Sequence, residues 1–277
     1  MTKPFSIAIH GGAGTILREQ MSDELQQSIL ADLEAAVKAG HQILEQGGEA
    51  LDAVVAAVKV LEDSPNFNAG KGSVLTHNEM VEMDASVMDG RNLAAGAVAG
   101  VRHIKNPIEL ARDVMLRSNH VLLVGEGAEK FAFEQGHQYT EQDYFFTDRR
   151  YEQLLSMREK GLFALSESRY PDDRKHGTVG AVAENGVVAV STTGVGEFFI
   201  RKRVAEDVAA RMRYLQEDVH TACEAIIQGD LKTMGGEGGL IAIDANGALH
   251  FAMNSSGMYR AGINTLGELS VKIYAND

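Results

Sequence analysis

Cysteine is almost missing from this chain: Cys223 is alone among 277 residues. One thiol excludes an internal disulfide framework and cannot build a thiolate metal site by itself. Its setting, Thr221-Ala222-Cys223-Glu224-Ala225-Ile226-Ile227, reads as an amphipathic helix, so Cys223 is expected to be a small buried hydrophobe and not a nucleophile. Basic residues are also scarce, 26 lysines and arginines against 39 aspartates and glutamates, giving a formal net charge of -13. Non-specific affinity for nucleic acid comes mainly from cations neutralising phosphates, so no nucleic-acid partner is expected. The local run Arg201-Lys202-Arg203 is read as a solvated helix face. No apolar stretch reaches membrane-spanning length, and the first ten residues run straight into a strand pattern without the apolar region of a signal peptide. No membrane partner is expected, and the expected location is cytoplasmic.

What is present is the composition of a soluble globular protein, 44% hydrophobic and 23% charged, long enough for one large domain or one domain in two covalent pieces. Phe5 to Ile9 reads as a buried strand ending in a tight loop, His10-Gly11-Gly12-Ala13-Gly14. Asp23 to about Gln46 and Ala50 to Leu61 carry apolar residues at helical spacing. Ser73 to Thr76 and Val81 to Met88 are expected as paired strands, Ala94 to Val101 as a close-packed strand, and Pro107 to about Arg117 as a helix. A short strand is expected at Val121 to Val124 and a short helix around Tyr151 to Lys160, followed by a mobile linker at about 161–177. Thr178 to Ala183 and Val187 to Thr192 are alternating runs joined by Glu184-Asn185-Gly186, which predicts a hairpin. Helices are expected at Arg203 to Tyr214 and Val219 to Ile227, and strands at Leu240 to Ile243, Ala248 to Met253 and Ser270 to Tyr274. Blocks of helices and hairpin-linked strands suggest α+β architecture, with antiparallel sheets covered by helices.

A threonine opening a strand is ordinarily there for packing. Thr178 differs because a polar linker runs directly into Gly177, and the threonine follows at the head of an apolar strand. Cleavage between them would give Thr178 a free α-amino group, able to serve as general base for its own hydroxyl. His10, at a strand end beside glycines, is expected to hydrogen-bond backbone and shape a loop. Asp84 and Asp89 fall on opposite faces under two-residue alternation, so structural roles are expected in place of paired acid chemistry. Gly235-Gly236-Glu237-Gly238-Gly239 opens a strand and lacks the lysine of a phosphate loop; its glycines would let backbone approach a site closely.

Seven motifs then occur in order. They are His10-Gly11-Gly12-Ala13-Gly14, Phe67-Asn68-Ala69-Gly70-Lys71-Gly72, Met83-Asp84-Ala85-Ser86-Val87-Met88-Asp89-Gly90 and Gly177-Thr178-Val179-Gly180-Ala181-Val182-Ala183, followed by Thr193-Gly194-Val195-Gly196-Glu197, the Gly235 to Gly239 run, and Asn254-Ser255-Ser256-Gly257-Met258-Tyr259-Arg260. From about Ile7 to Tyr274 the chain resembles the isoaspartyl peptidase/L-asparaginase family, the plant-type asparaginases. The resemblance implies a four-layer αββα sandwich of the N-terminal-nucleophile hydrolase type. It implies a precursor cut between Gly177 and Thr178 into an α subunit, residues 1–177, and a β subunit, residues 178–277, that stay together as one structural domain, and a dimer of such pairs. It implies a threonine-nucleophile amidohydrolase with Thr178 as nucleophile and Thr193 and Gly194 stabilising the oxyanion. Asn68, Gly196 and Gly236 would line the substrate site, and the substrate would be an aspartyl amide or isoaspartyl dipeptide. No organic cofactor is implied. A structural sodium ion would be held by backbone carbonyls of Leu61, Glu62, Ser64, Phe67, Ala69 and Lys71. A glycosylasparaginase- or taspase-like relative, or an unprocessed scaffold, would be the alternatives.

In one place the chain departs from that pattern. The family carries, between the nucleophile strand and the strand of the oxyanion threonine, a further strand ending in Thr-Ser-Thr-Gly-Gly and a loop with Gly-Arg-x-Gly-Asp-Ser-Pro. Here Ala183 passes through Glu184-Asn185-Gly186 straight into Val187, and the block is absent. With it go the arginine and aspartate that pair with the substrate's α-carboxylate and α-ammonium, and the second threonine beside the nucleophile. Arg201 and Arg203 lie several residues further on and need not replace a bidentate contact.

Overall fold

A computed structural model describes residues 5–159, 178–183 and 187–277. They fall into two compact units, one made of residues up to Val60 with those from Thr178 onward, the other of Leu61 to Glu159. Gly177, the expected linker and the Glu184-Asn185-Gly186 turn lie outside the described residues.

The first unit begins with β1, Ile7–Gly14. The expected loop after Ile9 is instead the second half of this strand, which pairs across its whole length. Gly12, at φ +112°, takes up a register shift after His10, so the glycines make a bulge in place of a turn. Helix α1, Asp23–Glu45, starts where the Ser22 side chain accepts a bond from the Leu25 N–H, and buries Ile29, Leu33, Ala36 and Val37 on one face. Helix α2, Ala50–Asp63, follows, its last turn belonging to the second unit.

In the second unit β2, Met83–Asp89, pairs antiparallel with β3, Ala94–Val101. The expected partner strand at Ser73 to Thr76 shrinks to one bridge between Leu75 and Val81. Helix α3, Pro107–Arg117, packs on β2 and β3 and leads to β4, Leu122–Val124, which lies parallel to β3. Three more helices follow, α4 (Gly125–Glu134), α5 (Gln142–Phe145) and α6 (Asp148–Glu159). Only the last has a counterpart in the sequence expectations, because α4 buries just Ala128 and Ala132 and so shows no apolar stripe.

The first unit resumes with β5, Gly180–Ala183, and β6, Val188–Gly194. They do not form the expected hairpin. β5 pairs with β1, Ile9 opposite Ala181 and His10 opposite Gly180, whereas β6 belongs to another sheet. The Glu-Asn-Gly signal is local, and each strand gains more by pairing with a fully buried neighbour. Helices α7 (Gly196–Lys202), α8 (Val204–Tyr214) and α9 (Val219–Glu224) come next, the last continuing as a π-helical turn, Ala225–Leu231. Strands β7 (Gly238–Asp244), β8 (Leu249–Met253), β9 (Gly257–Ile263) and β10 (Leu269–Tyr274) complete the unit.

Its two sheets have strand orders β10-β9-β1-β5 and β6-β7-β8. Ala8, Ala13, Val182 and Met258 of the first meet Ile241 and Ile243 of the second in a shared apolar layer. Strand alternation turns Leu240 and Ala242 the other way, where they pack with Val204, Val208, Val219, Ala222, Cys223, Ile226 and Ile227 of the helical segments. Helix α1 packs on β1, β9 and β10. The architecture is α+β. Among the described residues no helix is long and apolar enough to cross a membrane.

Candidate active site

Thr178 is exposed, just ahead of β5. Two residues on, Gly180 lies directly opposite His10, and a Cβ there would stand 2.3 Å from Ser191 Oγ and 2.4 Å from His10 Nε2. Only glycine lets β5 come this close to β6. The fully buried His10 ring fills the junction, with Nε2 2.8 Å from Ser191 Oγ. Burial lowers its pKa to about 4, against the opposing pull of the Thr178 backbone. The imidazole is therefore neutral near neutrality, and it links β1 to β6 through Ser191 in place of the loop-shaping role expected for it.

Thr193 follows Ser191 by two residues on the same face of β6. Its side chain is buried, and its Oγ1 has no hydrogen-bond partner among the described residues. A buried hydroxyl left without a partner costs roughly 1–3 kcal/mol. The strand partner of Thr193 is Gly239 in β7, so the strand of Thr193 does not pair with the strand that follows Thr178. Beyond it Gly194 faces Gly238, at φ +139° and +151°. A Cβ on Gly238 would lie 2.2 Å from the Thr193 carbonyl oxygen. The glycine-rich run thus lets β7 lie close against the backbone of β6.

Asn254, given no role at the sequence level, clamps that run. Its Oδ1 accepts from Gly238 N at 2.8 Å, and its Nδ2 donates to Gly236 O at 2.9 Å. Gly236 also donates its N–H to Leu231 O at 2.9 Å, and Gly196 opens α7. Asn254 could have been singled out from its motif, but His10 and Ser191 are 181 residues apart in sequence, a pairing no local pattern reveals.

Asn68 lies in the second unit, where its Oδ1 accepts from Val74 N at 2.9 Å. Around it, Leu61 to Lys71 runs from the carbonyl end of α2 to a 3-10 turn at Gly70–Gly72. Gly70 lies against the Glu62 carbonyl oxygen, and buried Arg150 donates Nε–H to Gly72 O at 2.6 Å. Oxygen donors at the negative end of a helix are chemically suited to a hard cation. The buried Glu62 carboxyl accepts from Ile108 N at 3.1 Å in the first turn of α3, and burial pushes its pKa up to about 8. Asp89 holds Arg91 at 2.7 Å and exposed Asp84 accepts from Gly100 N, the separate structural roles expected of them. Cys223 is buried, and its thiol is pushed up to about 12, which leaves it inert.

The asparaginase family model matches residues 2–185 and 180–272. The chain belongs to the asparaginase family. The isoaspartyl peptidase of Salmonella typhimurium is 46% identical over 293 aligned positions, covering 92% of this chain and 94% of its own length. That of Escherichia coli is 45% identical, covering 92% and 91%. The plant-type L-asparaginase of Thermococcus kodakarensis is 39% identical, covering 91% and 94%. An alignment of 293 positions exceeds the 277 residues available, so these relatives carry residues without a counterpart in this asparaginase-family chain. The two stretches of the family match meet at residues 180–185, beside the place where the block is missing.

Proposed function

We propose that this chain is a threonine-nucleophile amidohydrolase acting on β-aspartyl amide bonds, in isoaspartyl dipeptides or asparagine, through a Thr178 released by self-cleavage after Gly177. The observation that carries the proposal is the buried, unpartnered Thr193 hydroxyl on the strand that faces Thr178 across His10. The isoaspartyl peptidases and asparaginases that match along most of the chain support the same chemistry.

The freed α-amine of Thr178 takes the proton of its own hydroxyl as Oγ attacks the amide carbonyl. Charge collects on the carbonyl oxygen, where the Thr193 hydroxyl and the Gly194 backbone donate hydrogen bonds. The intermediate collapses to an aspartyl-threonine ester, the leaving amine takes the proton back, and water then releases aspartate. Asn68, Gly196 and Gly236 line the substrate site in this scheme. No organic cofactor takes part; the carbonyls of Leu61, Glu62, Ser64, Phe67, Ala69 and Lys71 would hold a sodium ion that fixes their loop and does no chemistry.

The pieces left by cleavage would share a sheet, since β1 precedes the cut and β5 follows it. Holding them together then needs no covalent link; by the family resemblance the pieces would form one αβ unit in a four-layer αββα sandwich, and two such units a cytoplasmic dimer. The test is intact-mass measurement with an assay for aspartate release at high substrate concentration. Two fragments divided before Thr178 and measurable release, both absent in Thr178→Ala, are expected. An uncut wild-type chain that releases no aspartate would leave a scaffold role instead.

A further inference from the structure

Among the described residues, one cluster of metal-ligating side chains lies outside the candidate active site. His220 and Glu224 are four residues apart on α9 and so share a face, while Val219, Ala222 and Cys223 occupy the buried one. His250 on the neighbouring β8 points to the same place. Its Nε2 stands 2.9 Å from Glu224 Oε1, and its ring lies 4.5 Å, centroid to centroid, from that of His220. One donor atom from each of the three residues lies within 4.8 Å of the others.

We propose that His220, Glu224 and His250 bind one divalent transition-metal cation of the zinc type. Bond lengths of about 2.0–2.2 Å to nitrogen and oxygen in a tetrahedral site put donor atoms roughly 3.4 Å apart. Here His250 and Glu224 stand at 2.9 Å, and all three donor atoms lie within 4.8 Å of one another. Side-chain rotation of the exposed His220, with a small opening of the His250–Glu224 contact, would bring all three to the tetrahedral spacing. Two imidazoles and one carboxylate suit a borderline cation, whereas magnesium and calcium require oxygen throughout. A water would complete the set on the open side. The Cys223 thiol faces the opposite core and is no ligand. Bound metal would tie α9 to the outer strand of the β6-β7-β8 sheet. This site is independent of the proposed Thr178 chemistry, and its test needs no turnover.

Tag-free protein stripped with a chelator is titrated with cobalt(II) and followed by its visible absorption, then competed with zinc(II). One equivalent per chain is expected, displaced by zinc, with a rise in melting temperature. His220→Ala alters an exposed side chain and Glu224→Gln preserves shape. Each is expected to weaken zinc binding by more than the roughly 10–100-fold lost when only a supporting partner of a metal ligand is removed, and to abolish the thermal shift. Equal zinc affinity in wild type and His220→Ala, or no stoichiometric uptake by wild type, overturns the proposal.

Discussion

His10 Nε2 and Ser191 Oγ stand 2.8 Å apart and join the β1 sheet to the β6 sheet directly behind Thr178. The imidazole is held neutral by burial, with its pKa lowered from 6.5 to about 4. A base whose pKa is depressed by folding contributes stability that is full above its unfolded value and is lost as pH falls through the folded one. Between pH 6.5 and 4, wild type should therefore lose on the order of 3 kcal/mol from this group alone. His10→Gln, which keeps a donor near Ser191 but does not titrate, should lack that portion of the decline. Urea unfolding on either side of the window measures it, and parallel declines in the two proteins would remove His10 from the linkage.

Thr193→Val should separate stability from catalysis. Replacing a buried hydroxyl that has no partner with a methyl group removes a desolvation cost, so the melting temperature should hold or rise slightly. Turnover at saturating substrate should fall by about 10²–10³, as for other single oxyanion donors. Loss of stability with unchanged turnover would reverse the assignment.

The parts legible in the sequence were those whose cause is local. The stripe of Ile29, Leu33 and Val37 behind the Ser22 cap defines α1. Where long-range pairing decides, local signals mislead. β5 and β6 follow one another with a strong turn signal between them and still enter different sheets. β9 escaped notice because Gly257 to Ile263 is buried on both faces and therefore shows no alternation. In the site, Thr178 and Thr193 could be named from their motifs. The His10–Ser191 bridge and the Asn254 clamp could not, since each depends on residues distant in sequence.

Gly238→Ala should damage the fold around β6. The residue sits at φ +151°, and an added Cβ would overlap the Thr193 carbonyl oxygen and the Gly194 Cα, both backbone atoms. Conformational strain and overpacking together should cost about 2–4 kcal/mol. Gly229→Ala is the control, because nothing lies within 4 Å of its Cβ position. Denaturant midpoints compare the two, and equal stability would mean that β6 and β7 can separate at little cost.

The missing block should divide two activities that depend on the same nucleophile. Self-cleavage needs Thr178 and a neighbouring carbonyl already held by the chain, so it should proceed. Hydrolysis of a small zwitterion must also recruit and orient a separate molecule, and positioning of that kind supplies several kcal/mol. By the family resemblance, the arginine and aspartate that would grip the substrate's α-carboxylate and α-ammonium belong to the block, and the alignment to the Salmonella relative has more positions than this chain has residues. Protein whose intact mass matches these 277 residues should therefore cut before Thr178 yet release aspartate with a strongly raised KM. Restoring the block from a relative should lower KM with much less effect on the rate of self-cleavage. Low KM values without the block would mean that another charged pair holds the substrate, and Arg201 and Arg203 would then be the first residues to replace.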